Sequence, residues 1–152
     1  MMRITSASGD EFQLLIVRYQ HPDVHEDRWD SNWLIVNGSV SAGGEKWRFT
    51  DPCVTTFELA DLADWLDELA TDGSQASAFE FTEPNLKFTY TPWPQRAVQL
   101  TFTHESAPST RSEVERRTGV TVEFPLSGSQ AAALATEIRQ ALTDYPIRGG
   151  AA

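Results

Sequence analysis

The chain has one cysteine, Cys53, and three histidines. A lone thiol can close no intrachain disulfide and build no thiolate zinc site. Three histidines leave few candidates for imidazole chemistry. No apolar run approaches the roughly 20 residues that a membrane-spanning helix needs. Residues 1–12 lack the apolar core of a signal peptide. Phosphate-loop, dinucleotide-binding, zinc-protease and nucleophile-elbow motifs are all missing. These absences predict a cytoplasmic binding protein rather than an enzyme, with no cofactor and no metal.

Basic residues are also scarce. Twelve Lys and Arg face 22 Asp and Glu, for a net charge of −10. That balance argues against nucleic acid and anionic membranes as partners. It leaves solubility, or attraction to a basic partner, as its meaning.

What is present suits one domain spanning residues 1–152. Apolar residues make up 40% of the chain, with five Trp and eight Phe, enough apolar mass to offset the entropy of ordering. Strands are predicted at Phe12–Tyr19, Trp33–Ser41 and Lys46–Thr50, the last ended by Asp51-Pro52. A helix follows, with Thr55-x-x-Glu58 as a capping box, Leu59, Leu62, Ala63, Leu66, Leu69 and Ala70 as the buried stripe, and Gly73 as the stop. Phe79–Thr82 and Leu86–Tyr90 read as a hairpin. A two-residue turn there would set Phe81 against Phe88 and Phe79 against Tyr90. Strands over 98–103 and 120–124 enclose a polar stretch, 105–118, read as a mobile loop. Ser127 or Ser129 caps a second helix whose stripe runs from Ala131 to Tyr145. The fold class is therefore α+β: a mostly antiparallel sheet of about seven strands with two amphipathic helices on one face. Residues 1–10 and 148–152 are expected to fray.

Four clusters could carry chemistry. His21, Asp23, His25, Glu26 and Asp27 offer imidazoles and carboxylates, but at no known metal-ligand spacing, and a solvated loop explains them. His104 has no visible orienting partner. Cys53 near a helix start could have a lowered pKa, yet lacks a base and reads as a small buried hydrophobe. Arg111, Arg116 and Arg117 are balanced by Glu113 and Glu115.

The sharpest feature is a charge gap. Nine of the 22 acids fall within residues 49–86, a stretch with no Lys or Arg. On a helical wheel Glu58, Asp61, Asp64, Asp67 and Glu68 oppose the leucine stripe, with Trp65 on the border. Like charges at these spacings each destabilise a helix by about 0.2–0.5 kcal/mol. Asp67, Glu68 and Asp72 also sit near the negative end of the helix dipole. A solvated face is one reading. The other is a docking surface for a basic protein, formed by Glu58, Asp61, Asp64, Trp65, Asp67, Glu68 and Asp72.

The run Trp29-Asp30-Ser31-Asn32-Trp33-Leu34-Ile35-Val36, the hairpin into Trp47-x-Phe49, the helix Thr55-Thr-Phe-Glu-Leu-x-x-Leu-x-x-Trp-Leu66 and a C-terminal helix ending near Tyr145-Pro146 resemble the WapI-type immunity proteins, over roughly residues 12–148. The resemblance implies protection against a contact-delivered bacterial toxin, the cognate toxin domain being the partner. The 105–118 stretch departs from the short connection expected of that family. Two other readings compete. One is a small-molecule or carbohydrate-binding sheet that stacks ligands on Trp29, Trp33, Trp47 and Trp93. The other is an enzyme built on the His21/His25 loop.

Overall fold

The computed structural model describes residues 1–149. The chain forms β1 (Met2–Thr5), β2 (Glu11–Tyr19), β3 (Trp33–Ala42) and β4 (Glu45–Thr55), then helix α1 (Thr56–Thr71). Next come β5 (Ser77–Glu80), β6 (Leu86–Thr91) and β7 (Ala97–Phe102), a 3-10 turn (His104–Ser106) and helix α2 (Glu113–Thr118). The last two elements are β8 (Val120–Pro125) and helix α3 (Gly128–Leu142). The class is α+β and every strand pairing is antiparallel. The strands make two four-stranded sheets, β1-β2-β3-β4 and β5-β6-β7-β8, rather than one sheet of about seven.

Alternation decides which side chains face inward. Phe12 and Leu14 of β2, Leu34, Val36 and Val40 of β3, and Val98, Leu100 and Phe102 of β7 are all buried. The sheets meet where Phe12, Trp47 and Phe49 of the first pack around Phe102 of the second, with ring centroids 5.5, 5.5 and 6.2 Å away. Helices α1 and α3 pack against each other. Their stripes, Leu59, Leu62, Leu66 and Leu69 with Ala131, Leu134, Ala135 and Ile138, join the same core.

Several expectations change. Residues 2–5 do not fray: Met2 and Ile4 are buried, and β1 pairs with β2. Asp51-Pro52 does not end the third predicted strand. Leu34 pairs with Val54 and Val36 with Asp51, so the chain bulges at Pro52-Cys53, where a missing N–H is tolerated. The β5–β6 hairpin is offset by two residues from the predicted register. Phe79 lies opposite Phe88 and Ser77 opposite Tyr90. Phe81 leaves the strand and tucks edge-on against Phe79, at 5.1 Å between centroids. Burial of an additional phenyl ring outweighs a tight turn.

The 105–118 stretch is structured. Ser112 and Glu115 form a capping box for α2. Both Arg111 terminal nitrogens bind the Glu45 carboxylate, at 2.9 and 2.7 Å, and clamp the segment to β4. At the other end, Arg148 donates to the carbonyls of Pro22 and Val24 and covers the Tyr19 ring at 3.5 Å. Its backbone is anchored on Asn32. The fraying expected of 148–152 does not hold at Arg148, and residues 150–152 lie outside the described residues.

Candidate partner-binding surface

Helix α1 begins as its sequence dictates. The Thr55 hydroxyl accepts from the Glu58 N–H at 3.2 Å, and the Glu58 carboxylate accepts from the Thr55 N–H at 3.3 Å. The other Glu58 oxygen accepts from the Thr82 N–H at 3.3 Å. Glu58 is therefore buried, at 7% exposed, and ties the helix start to the segment after β5. Trp65 lies inside rather than on the border, at 8% exposed. Its ring packs on Phe79 and Phe88, and its indole N–H donates to the Ser77 hydroxyl at 2.8 Å. Two of the seven expected docking residues thus support the surface from beneath.

The other five face outward: Asp61, Asp64, Glu68 and Asp72 are exposed and Asp67 is half-exposed. They do not form one uniform patch. Arg139 of α3 reaches across to Asp64 at 2.8 Å and Asp67 at 2.6 Å. Asp61 and Glu68 make no ion pair among the described residues. Asp72 caps the helix end, and hydrogen bonds from the Ser74 hydroxyl and N–H hold its carboxyl below the usual range.

Gly73 does not end the helix by adopting a positive φ. It leaves room: a Cβ there would overlap the Arg96 guanidinium and the Tyr90 hydroxyl. Arg96 donates to the Leu69 carbonyl at 2.6 Å and to the Tyr90 hydroxyl at 2.7 Å. This cation meets the negative end of the α1 dipole, where the local sequence supplies none. Arg96 and Arg139 were missing from the reading of the charge gap because both come from distant segments. The usable signal was Arg139 itself, a lone cation on the polar face of the second amphipathic helix.

The remaining chemical candidates are accounted for locally. Burial, reinforced by Asp51, pushes the Cys53 thiol up to about 12, opposite to the lowering expected at a helix start. His104 turns the chain at φ 54° as the 3-10 turn begins, and its carbonyl accepts from Arg116. In the His21–Asp27 loop, Asp27 Oδ1 accepts from the N–H groups of Trp29 and Asp30 at 2.8 and 2.7 Å, which makes it a turn residue. Among the described residues no group of three His, Cys, Asp or Glu is placed to hold a metal ion. The tryptophans are dispersed. Trp29 and Trp33 pack together beside Phe57, Trp47 donates to the Ser106 carbonyl, and Trp93 projects at 82% exposure from the β6–β7 connection.

Compared with known families, residues 3–146 match the Immunity protein WapI-like family. The chain belongs to that family. The match takes in residues 3–5 of β1 as well as the segments that carry the resemblance. Membership in the WapI-like family implies toxin immunity in general, and such immunity proteins are generally not enzymes. No curated protein and no solved structure matches the chain. No helix among the described residues is long and apolar enough to cross a membrane.

Proposed function

We propose that this WapI-like protein works in the cytoplasm, where it binds a cognate toxin domain and neutralises it through the acidic face of α1. The observation that carries this reading is the outward set Asp61, Asp64, Asp67 and Glu68 on α1 with Asp72 at its C-cap, met among the described residues by only Arg139 in ion pairs. A surface tuned for solubility or stability alone would intersperse lysines. Unbalanced carboxylates on a rigid helix attract a basic surface and speed encounter. A toxin that acts on nucleic acid presents such a surface, because it must bind phosphate. Glu58 and Trp65 serve by holding the helix in place.

The test is binding to the toxin domain encoded beside this gene, measured against salt. Asp61→Asn, Asp64→Asn, Asp67→Asn and Glu68→Gln together should weaken affinity at least about tenfold and flatten the salt dependence. Unchanged affinity in that variant would refute the acidic docking surface.

A further inference from the structure

We infer that the outer edge of β5, bordered by Asp61, Glu68 and Asp72, is a docking edge for an extended, lysine- or arginine-bearing segment of a partner protein. The segment would add to the second sheet as a further strand. This rests on the immunity reading above and gives its partner a shape.

The two sheets have four edges. The edge of β4 is covered by the 3-10 turn, held by the Trp47 indole on the Ser106 carbonyl and by Arg111 on Glu45. β1 and β8 lie against each other, and β1 packs on α3, with the Arg3 N–H donating to Glu137. The edge of β5 differs. Beyond its pairing with β6, it makes no backbone hydrogen bond among the described residues. Ser77, Ala78 and Glu80 are exposed. The strand is short, four residues, and carries the exposed Glu80, but no proline, lysine or bulge blocks its edge.

Helix spacing places acids beside that edge. Residues 58, 61, 65, 68 and 72 are three and four apart and form one row along α1. Two members are pinned to the β5 segment: Glu58 to the Thr82 N–H and Trp65 to the Ser77 hydroxyl. The row therefore runs alongside β5, and its exposed members, Asp61, Glu68 and Asp72, border the edge. Asp64 and Asp67 lie on the α3 side and are paired with Arg139. Of the exposed acids of this row and its neighbours, those without an ion pair among the described residues are thus on the β5 side, while Glu80 of β5 itself pairs with Lys87 of β6 at 3.0 Å.

Main-chain pairing is blind to side chains, so the flanking charge selects the occupant. Three carboxylates select lysine or arginine. They also disfavour a second copy of this chain, since pairing two β5 edges would bring two acidic rows together.

The test uses the full chain and an acetylated, amidated octapeptide of alternating Lys and Val. A control peptide of equal charge is methylated at every backbone nitrogen. Binding is read by titration and by amide exchange. The parent peptide should slow exchange of outward amides within residues 77–80. The methylated peptide should bind roughly tenfold more weakly or worse, having lost several hydrogen bonds. Asp61→Asn with Glu68→Gln should weaken the parent peptide and reduce its salt dependence. Equal binding of both peptides, or protection away from β5, overturns the edge but leaves the acidic surface standing. Binding indifferent to both substitutions and salt overturns the acidic surface as well. Failure of the parent peptide to bind at millimolar concentration overturns the docking edge.

Discussion

The indole N–H of Trp65 donates to the Ser77 hydroxyl at 2.8 Å, joining the middle of the acidic helix to the edge strand of the second sheet. The same ring packs on Phe79 and Phe88. One side chain thus fixes the distance between α1 and β5, the two elements on which the proposed binding rests.

Trp65→Phe keeps an aromatic ring and removes the donor. It should lower stability by about 1–3 kcal/mol, from a lost hydrogen bond and a partly filled cavity, read as a shifted urea midpoint. Because Trp65 is buried, an added effect on toxin binding should follow the displacement of α1 rather than a lost contact. Glu58→Ala, which removes half of the capping box and the Thr82 tether, should cost about 1–2 kcal/mol in the same assay.

Arg139→Gln gives effects of opposite sign on stability and on binding. Its ion pairs with Asp64 and Asp67 are exposed, so the stability loss should stay below about 1 kcal/mol. The substitution frees two carboxylates and makes the face more negative. The association rate with a basic toxin domain should rise at low salt, and the difference should vanish at high salt. A slower association in stopped-flow mixing would contradict the docking role of this face.

Gly38 lies opposite Phe49 in the β3–β4 pairing, and a Cβ at Gly38 would overlap the Phe49 ring. Phe49 in turn packs on Phe102 between the sheets. Gly38→Ala should therefore destabilise by about 1–3 kcal/mol through overpacking. Phe49→Leu in the same chain should recover part of that loss, a coupling that a double-mutant cycle in denaturant would measure.

Asp51 supplies a pH test. Burial, reinforced by Glu105 and Glu83, raises its carboxyl pKa in the folded state. The folded protein then holds this proton to higher pH than the unfolded chain does. Its ionisation weakens folding as pH rises through the raised pKa, and the penalty is absent below the ordinary carboxylate range. Asp51→Asn keeps an oxygen to accept from Asn85 Nδ2, now 3.1 Å from Asp51. It should be more stable than the parent at neutral pH and indistinguishable in acid. Thermal melts across pH would show whether the difference follows that course.

Local features were legible in the sequence, and tertiary ones were not. The box Thr55/Glu58 forms as read, and of the two candidate caps Ser127 and Ser129 it is Ser127 that caps the last helix. Met2-Arg3-Ile4-Thr5 also alternates, but four residues are too few to stand out from a polar terminus. Phe81 looked like a strand residue because its own pattern fits one, and only the core behind it draws it out of register. The acids of α1 were legible as a row. Their division into a side paired with Arg139 and a side along β5 depends on where α3 and β5 dock, which no short window of residues contains.

The packing of α1 on α3 also orders events in time. A ribosome completes the leucine stripe of α1 well before it reaches Ala131, Leu134 and Ile138, which cover it. The second sheet can form in the interval and hold α1 through Glu58 and Trp65, but the side of α1 that packs on α3 stays open to water until α3 emerges. A chain cut before Gly128 would accordingly keep the tethers of Glu58 and Trp65 but leave Asp64 and Asp67 without Arg139.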